Sequence, residues 1–309
     1  MKACFILATL LATPAFAASV VMTGGDGFGA SSFNSAGSWD SSAAPTAGND
    51  YANNGFLLRT PNATNASFTF AGDSLTISGS ASFSGVNNEA LMWKGSGTGA
   101  VITVGNLIVN GGQLRHGQGD GDSFTLAGNI SVGPTGMGVA AQGGFDIASA
   151  ISGNSSITVM ANGSGSTARM VTFSSPSSTF NGNLSLNNVQ SLATFADDAV
   201  FNFLIGSAGV NNSISGTGVL SLNGDFILDL TGAGTTLGDS WQLVDNATLA
   251  ETYGSTFTVA GFTDNGDDTW SSGIYQFDEA TGLLSVVPEP SVALLGGLGM
   301  LGMLRRRRA

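Results

Sequence analysis

The chain has 309 residues, of which 42% are hydrophobic and only 10% are charged, and its formal net charge is −12. Residues 18–287 contain four basic and 20 acidic residues, a net charge of −16 that would repel phosphate backbones and argues against a nucleic-acid partner. The single cysteine, Cys4, lies near the N-terminus, so residues 18–309 can form neither a disulfide nor a thiolate metal site.

The first 17 residues have the three parts of a secretory signal peptide. Lys2 supplies a positive charge, residues 3–12 form an apolar run, and residues 15–17 read Ala-Phe-Ala, a small-residue cleavage pattern. We therefore expect export through the Sec translocon and cleavage by signal peptidase between Ala17 and Ala18.

Residues 18–224 are rich in Gly, Ser, Asn and Thr, and their short alternating segments are typical of β-strands. The clearest segments are residues 67–70, 74–78, 101–104, 107–109, 123–126, 130–132, 157–159, 184–186 and 219–222. Between several of them stands Gly with Asn or Asp, as at residues 127–129, which predicts sharp corners because these residues tolerate positive φ. No segment of this region has a convincing helical periodicity.

These patterns predict an all-β fold, a right-handed parallel β-helix or β-solenoid with coils of about 20–25 residues. A β-sandwich is the alternative, since alternating strands at short spacing suit it as well. Residues 225–286 contain larger aromatic side chains, among them Trp241, Trp270 and Tyr275, and we expect this region to form a β-rich cap over the last coil.

The C-terminal tail, residues 287–309, has three parts in a fixed order. Pro288, Glu289 and Pro290 form an extended segment, because each proline disfavours helix in the residue before it. Residues 291–304 are almost wholly apolar and would form a membrane helix of about 21 Å, shorter than the hydrocarbon core of about 30 Å. The tail ends in a basic cluster that would hold this end in the cytoplasm: Arg305, Arg306, Arg307 and Arg308.

This order resembles the PEP-CTERM sorting signal of Gram-negative bacteria. The resemblance implies that an exosortase, a membrane transpeptidase-like enzyme, recognises Pro288, Glu289 and Pro290 and removes the tail near them. Arg305 to Arg308 would then be the topological anchor. The stretch from Phe226 to Val286 also resembles the C-terminal portion of autotransporter-repeat-type PEP-CTERM proteins, and the composition of the preceding residues is similar to that of their passenger-like β-helices. A permanent membrane anchor that is never cut is the alternative reading of the same tail.

Candidate catalytic and metal-binding residues are few. His116 is the only histidine, and without a nucleophile elbow beside it we expect a surface or turn position. The acid clusters at residues 120–122 and 264–268 match no Ca²⁺-binding loop, so no cofactor is predicted, with Ca²⁺ left as the alternative. The adjacent acid pairs at residues 197–198 and 278–279 would point to opposite faces of a strand and form no catalytic dyad.

The sequence therefore predicts no catalytic residue, no metal site and no enzyme. It favours an exported surface or extracellular-matrix protein with a structural or adhesive role, held at the inner membrane during sorting and then delivered to the cell surface or matrix. The alternative is a carbohydrate-binding protein of the exopolysaccharide matrix, in which some of Trp39, Trp93, Trp241 and Trp270 stack on sugar rings. A polysaccharide-active enzyme is the third hypothesis.

Overall fold

The computed structural model describes residues 17–161 and 169–288. Every regular element in these residues is a β-strand, and the 27 strands are numbered in chain order. The prediction of an all-β fold is thus confirmed for the described residues. The predicted signal peptide, apart from Ala17, and the predicted membrane helix lie outside them.

Sheet 1 is the largest sheet, and its twelve strands pair in parallel from one coil of the chain to the next. Its strands are β1 (Ala18–Val21), β2 (Asn49–Ala52), β4 (Phe68–Thr69), β5 (Ser74–Ser78), β7 (Ala100–Asn110), β9 (Ser123–Val132), β11 (Gly144–Ile147), β12 (Ala150–Ser152), β14 (Met170–Phe173), β16 (Leu192–Phe195), β19 (Val219–Leu222) and β22 (Ala250–Tyr253).

Sheets 2 and 3 are also parallel. Sheet 2 consists of β3 (Leu58–Arg59), β6 (Ala90–Trp93), β8 (Gln113–His116), β10 (Met137–Ala141), β13 (Ile157–Ala161), β15 (Leu184–Leu186) and β18 (Ile214–Gly216). Sheet 3 consists of β17 (Val200–Leu204), β20 (Asp225–Asp229) and β23 (Thr258–Val259). Parallel pairing in register along three sheets is consistent with a β-solenoid and differs from the antiparallel sheets of a β-sandwich.

Sheet 4 is antiparallel and contains the last strands of the chain. It consists of β21 (Ser240–Gln242), β24 (Thr263–Asp264), β25 (Thr269–Ser272), β26 (Tyr275–Asp278) and β27 (Leu283–Val286). Because β22 and β23 still pair in parallel with earlier strands, the chain alternates between the parallel stack and sheet 4 after Ser240.

The core is built from ladders of apolar side chains on the inner faces of the three parallel sheets. In sheet 1 one such ladder passes through paired residues on successive coils: Ile102, Leu126, Ile147, Phe173, Phe195, Leu222 and Tyr253. Strict alternation of buried and half-buried residues, as in β5, follows from the two-residue period of a strand. Each coil therefore buries a few side chains against the next coil.

The coils are less regular than the sequence predicts. Thr125 and Asp146, which pair on adjacent coils, are 21 residues apart, whereas the bridged residues Thr64 and Ser96 are 32 apart. The longer coils contain extended loops, such as residues 79–89 before β6. The stacked strands keep their register because loops of unequal length lie outside the sheets.

At one predicted corner the positive φ is confirmed, but the predicted end of the strand is wrong. Residues 127–129 do not end a strand but lie within the long strand β9, and β7 likewise continues through Gly105. Val104 pairs with Gly128 and Asn106 with Asn129, so Gly105 is an extra residue that forms a β-bulge. Gly128 has φ 114°, and this positive φ produces a local bend while the ladder of hydrogen bonds continues on both sides.

Candidate functional site

A concave site lies beside the last parallel coil, and we call it the C-terminal pocket. Its volume is about 330 Å³, which falls in the range of small-ligand pockets. It is lined by aromatic, acidic and small residues: Tyr253, Gly254, Ser255, Phe257, Asp264, Gly266, Asp268, Trp270 and Glu279.

The antiparallel strands of sheet 4 bring the acidic part of the pocket together. Asp264 on β24 pairs with Trp270 on β25, across a turn in which Gly266 and Asp268 have positive φ. The backbone N–H of Glu279 then donates a hydrogen bond of 3.0 Å to the carbonyl of Asp268. Two acidic segments that are separate in the sequence, residues 264–268 and 278–279, therefore meet at one site.

Trp270, Phe257 and Tyr253 form the aromatic wall of the C-terminal pocket. The Phe257 ring lies 4.8 Å from the Tyr253 ring and 5.8 Å from the Trp270 ring, measured between ring centroids, and both contacts are edge-to-face. Trp270 is half-buried, whereas Trp39, Trp93 and Trp241 are buried in the core. Among the four tryptophans, Trp270 is therefore the one placed to meet a ligand.

Trp270 and Glu279 are joined across the pocket by a short hydrogen bond. The indole Nε1–H donates to Glu279 Oε1 at 2.6 Å. Burial raises the pKa of the Glu279 carboxyl, and the carboxylates of Asp268 and Asp264 raise it further, while the bond from Trp270 lowers it. The pocket thus concentrates negative charge around an oriented indole ring.

Two further polar groups at this end of the core have no hydrogen-bond partner among the described residues. Glu251 and Tyr253 follow Leu220 and Leu222 in the inward-facing ladders of sheet 1, so their side chains end these apolar stacks. Glu251 Oε2 and the Tyr253 hydroxyl are buried and unpaired. Burial raises the pKa of Tyr253, with Glu251 adding to the shift, so the hydroxyl stays a neutral donor. Buried polar groups normally have partners, so these two mark an unusual site.

The other acidic residues singled out from the sequence have structural contacts or lie on the surface. Asp120 forms an ion pair with Arg169 at 2.7 Å, and Asp122 Oδ1 accepts a hydrogen bond of 2.6 Å from the backbone of Gly97. The pair at residues 197–198 is exposed. Within residues 17–161 and 169–288, no group of three or more His, Cys, Asp or Glu side chains is placed to hold a metal ion.

His116 is not at a surface or turn position, and that expectation is wrong. It lies on β8 with a side chain that is fully buried. Its Nε2 bonds to the carbonyl of Asp122 at 3.1 Å, and its Nδ1 accepts from the backbone N–H of Gln118 at 3.3 Å. Burial lowers the pKa of His116 to about 4. A buried, neutral histidine of this kind helps to build the core.

The residues of the predicted sorting and cleavage sites are only partly described. Ala17 is exposed and β1 begins at Ala18, while at the other end Pro288 is exposed just after β27. The rest of the sorting motif and the basic cluster, namely Glu289, Pro290, Arg305, Arg306, Arg307 and Arg308, lie outside the described residues. In the part of the chain that the structure describes, no helix is long and apolar enough to cross a membrane.

Comparisons of the chain with protein-family models, with curated proteins and with solved structures found no match. Neither the position of Tyr253 nor the proximity of Asp264 to Glu279 was predicted from the sequence. One signal was present: Asn265-Gly266 is a common hairpin turn and predicts a hairpin here, although the observed loop is longer than two residues, since Asp264 pairs with Trp270.

Proposed function

We propose that this chain is an exported bacterial surface or extracellular-matrix protein that an exosortase sorts through its tail. The observation that supports the proposal is the order of the tail: Pro288 to Pro290, then the apolar residues 291–304, then the arginine cluster. An N-terminal signal and positive residues at the C-terminus give the same topology, with the acidic body outside the inner membrane. The partners would be the Sec translocon, signal peptidase and the exosortase.

The body suits a structural or adhesive role. We propose that the parallel stack is a right-handed β-helix, since parallel crossover connections are nearly always right-handed, and that sheet 4 caps its last coil. Such a rod would present long, regular surfaces rich in Ser, Thr and Asn. The absence of catalytic function stays a prediction.

Mass spectrometry of both termini tests the sorting proposal. The full chain would be expressed in a Gram-negative host that has an exosortase, beside a variant with alanine at Pro288, Glu289 and Pro290. We expect the mature protein to start at Ala18 and to lack the arginine cluster, whereas the variant should keep the cluster and stay in the membrane fraction. An exported wild-type protein with Arg305–Arg308 intact would overturn the proposal and indicate a permanent anchor.

A second function is favoured by the C-terminal pocket, namely binding of a saccharide of the matrix. A half-buried indole beside carboxylates is a common arrangement for sugars, whose C–H faces stack on the ring while their hydroxyls donate to the acids. Because Asp264, Asp268 and Glu279 line the site, neutral or amino-bearing sugars should bind better than acidic ones.

A glycan array with the wild-type protein and two variants tests this second function. Trp270→Ala should abolish binding to neutral and amino sugars. Phe28→Ala is the matched control, because Phe28 is 90% exposed and distant in sequence from the pocket residues. Equal binding by the wild-type protein and Trp270→Ala would rule out the pocket as the saccharide site.

A further inference from the structure

Three of the four basic residues in residues 18–287 lie together on the outer face of sheet 2. They are Arg59 on β3, Lys94 directly after β6, and Arg115 on β8, and we call them the basic patch. In the sequence they are far apart, at positions 59, 94 and 115. The parallel register of the coils is what gathers them.

The register of sheet 2 fixes the position of the patch. Arg59 pairs with Met92, and Met92 pairs with Arg115, so the two arginines lie two strands apart, about 10 Å. The preceding residues of these strands, such as Leu58 and Leu114, are buried in the core, and alternation therefore places the arginines on the outer face.

Lys94 completes the patch on the same face. It is two residues beyond Met92, and its backbone N–H is held by Thr60 Oγ1 at 3.0 Å. Its ammonium group bonds to Gln118 Oε1 at 2.9 Å and to the carbonyl of Gly117, both on the next coil. These bonds use neutral oxygens and leave the charge of Lys94 in place.

No carboxylate of the described residues neutralises the patch. The ion pair found in residues 17–161 and 169–288 is that of Arg169 with Asp120, which involves none of the three patch residues. Asp26 contacts Arg59 through the backbone, since its Oδ2 accepts a hydrogen bond of 2.8 Å from the Arg59 N–H.

The lack of a neutralising carboxylate destabilises the basic patch, because its charged groups are partly buried and repel one another. Burial lowers the pKa of Lys94, and the charges of Arg59 and Arg115 lower it further. The Nε atoms of both arginines are buried without a hydrogen-bond partner. Half-buried cations that repel one another are stabilised when an anion binds among them.

A neighbouring loop holds part of the patch in a fixed position. Arg115 Nη1 donates to the carbonyl of Asn87, in the loop of residues 79–89 that folds against the outer face of sheet 2. The adjacent Gln113 donates to the carbonyls of Ser82 and Gly85 at 3.0 and 2.9 Å. Arg115 therefore needs little reordering to meet a ligand, and pre-organised groups bind more tightly.

We propose that the basic patch binds a carboxylate or sulfate group of a small acidic ligand. Guanidinium groups match the planar or tetrahedral oxygens of these anions, and Lys94 adds a point charge. The net charge of −16 on residues 18–287 opposes an extended polyanion, so the favoured ligand has few acidic groups, such as a short oligosaccharide containing uronic acid or a free anion. This site does not depend on how the chain is sorted.

Titration calorimetry of the purified full chain tests the proposal with four probes: trigalacturonate, galacturonate, inorganic sulfate and neutral maltotriose. We expect the acidic probes to bind and maltotriose not to bind at the patch. Arg59→Gln and Lys94→Gln should each weaken binding by about tenfold or more. Arg169→Gln is the matched control, since it removes the same unit charge from an existing ion pair, and its affinity should equal that of the wild-type protein.

The four probes distinguish an acidic saccharide from a free anion as the ligand. Tighter binding of trigalacturonate than of sulfate indicates an acidic saccharide, and equal binding indicates a free anion. If Arg115→Gln unfolds the protein, Arg115→Lys keeps the charge and should retain part of the affinity. The proposal is overturned if no acidic probe binds, or if Arg169→Gln weakens binding as much as the patch variants do.

Discussion

His116 and Trp93 are paired residues on adjacent strands of sheet 2, and their rings contact each other inside the core with centroids 4.8 Å apart. Phe124 stacks on the indole at 4.9 Å, and its ring centroid lies 5.8 Å from that of the imidazole. The imidazole is thus enclosed by aromatic rings, and the backbone N–H of Gln118 points at Nδ1, which therefore carries no proton. The fold requires the neutral form of His116.

The pKa of His116 predicts a loss of stability in mild acid. The pKa is about 4 in the folded protein against an ordinary value of 6.5, so the unfolded chain binds more protons between these values. The contribution of His116 to the free energy of unfolding is complete above pH 6.5. It decreases by about 3 kcal/mol as the pH falls to 4. Denaturant unfolding between pH 4 and 7 measures the loss.

His116→Gln gives the control for this pH effect, because His116 is the only histidine. The variant should be less stable than the wild-type protein at pH 7, and the difference between the two proteins should shrink as the pH falls to 4. A difference that stays constant with pH would show that burial does not hold the imidazole neutral.

The β-bulge between β7 and β9 provides a pair of glycines for a second prediction. A Cβ on Gly128 would lie 1.9 Å from the carbonyl oxygen of Val104, and the positive φ adds strain. We expect Gly128→Ala to destabilise the protein by about 3 kcal/mol, as judged by chemical denaturation. Gly105→Ala, where a Cβ would meet nothing within 4 Å, should change stability by no more than about 0.5 kcal/mol.

These glycines also show what the sequence could predict of the fold. Gly with Asn or Asp at residues 128–129 and 224–225 suits a corner in both cases, yet only residues 223–224 separate two strands, β19 and β20. A bulge and a corner use the same residue types, and whether the ladder resumes beyond them depends on pairing with the neighbouring coil. Strand existence could therefore be predicted from the local pattern, whereas strand length could not.

The candidate sites could not be predicted from the sequence for a related reason. Arg59 and Arg115 lie on the same face because both pair with Met92, although the coils differ in length. No fixed period in the sequence indicates this register. Asp264 and Glu279 meet through an antiparallel hairpin within a region for which only a β-rich cap was predicted. Local patterns predict strands, but long-range register places side chains together.

The stacked phenylalanines of the core give a third prediction. Phe124 lies between the rings of Trp93 and Phe145, at centroid distances of 4.9 and 4.5 Å, and is almost fully buried. Phe124→Ala should reduce the free energy of unfolding by about 3–5 kcal/mol, because it removes apolar burial and leaves a cavity in the stack. Thermal and urea unfolding measure this loss. Phe28→Ala is the control, because Phe28 is exposed, and it should leave stability unchanged.

The raised pKa of Glu279 predicts a pH dependence of stability that is opposite in sign to that of His116. Burial, with help from Asp268 and Asp264, raises the pKa of its carboxyl above the ordinary value of 4.5, so the folded protein binds this proton more tightly than the unfolded chain does. The stabilising effect of this group is complete below pH 4.5 and is lost as the pH rises through the folded-state pKa. At neutral pH an ionised Glu279 therefore opposes folding.

Glu279→Gln should relieve this repulsion while its amide oxygen still accepts the hydrogen bond from Trp270. The carboxyl is partly exposed and solvent screens it, so we expect a Tm about 1–2 °C above that of the wild-type protein at pH 7 and no gain at pH 4. Asp197→Asn removes the same charge from an exposed position and should give no such pH-dependent gain. If both variants raised the Tm equally, the effect would come from the net charge of the body, and the acidic C-terminal pocket would have no special electrostatic role.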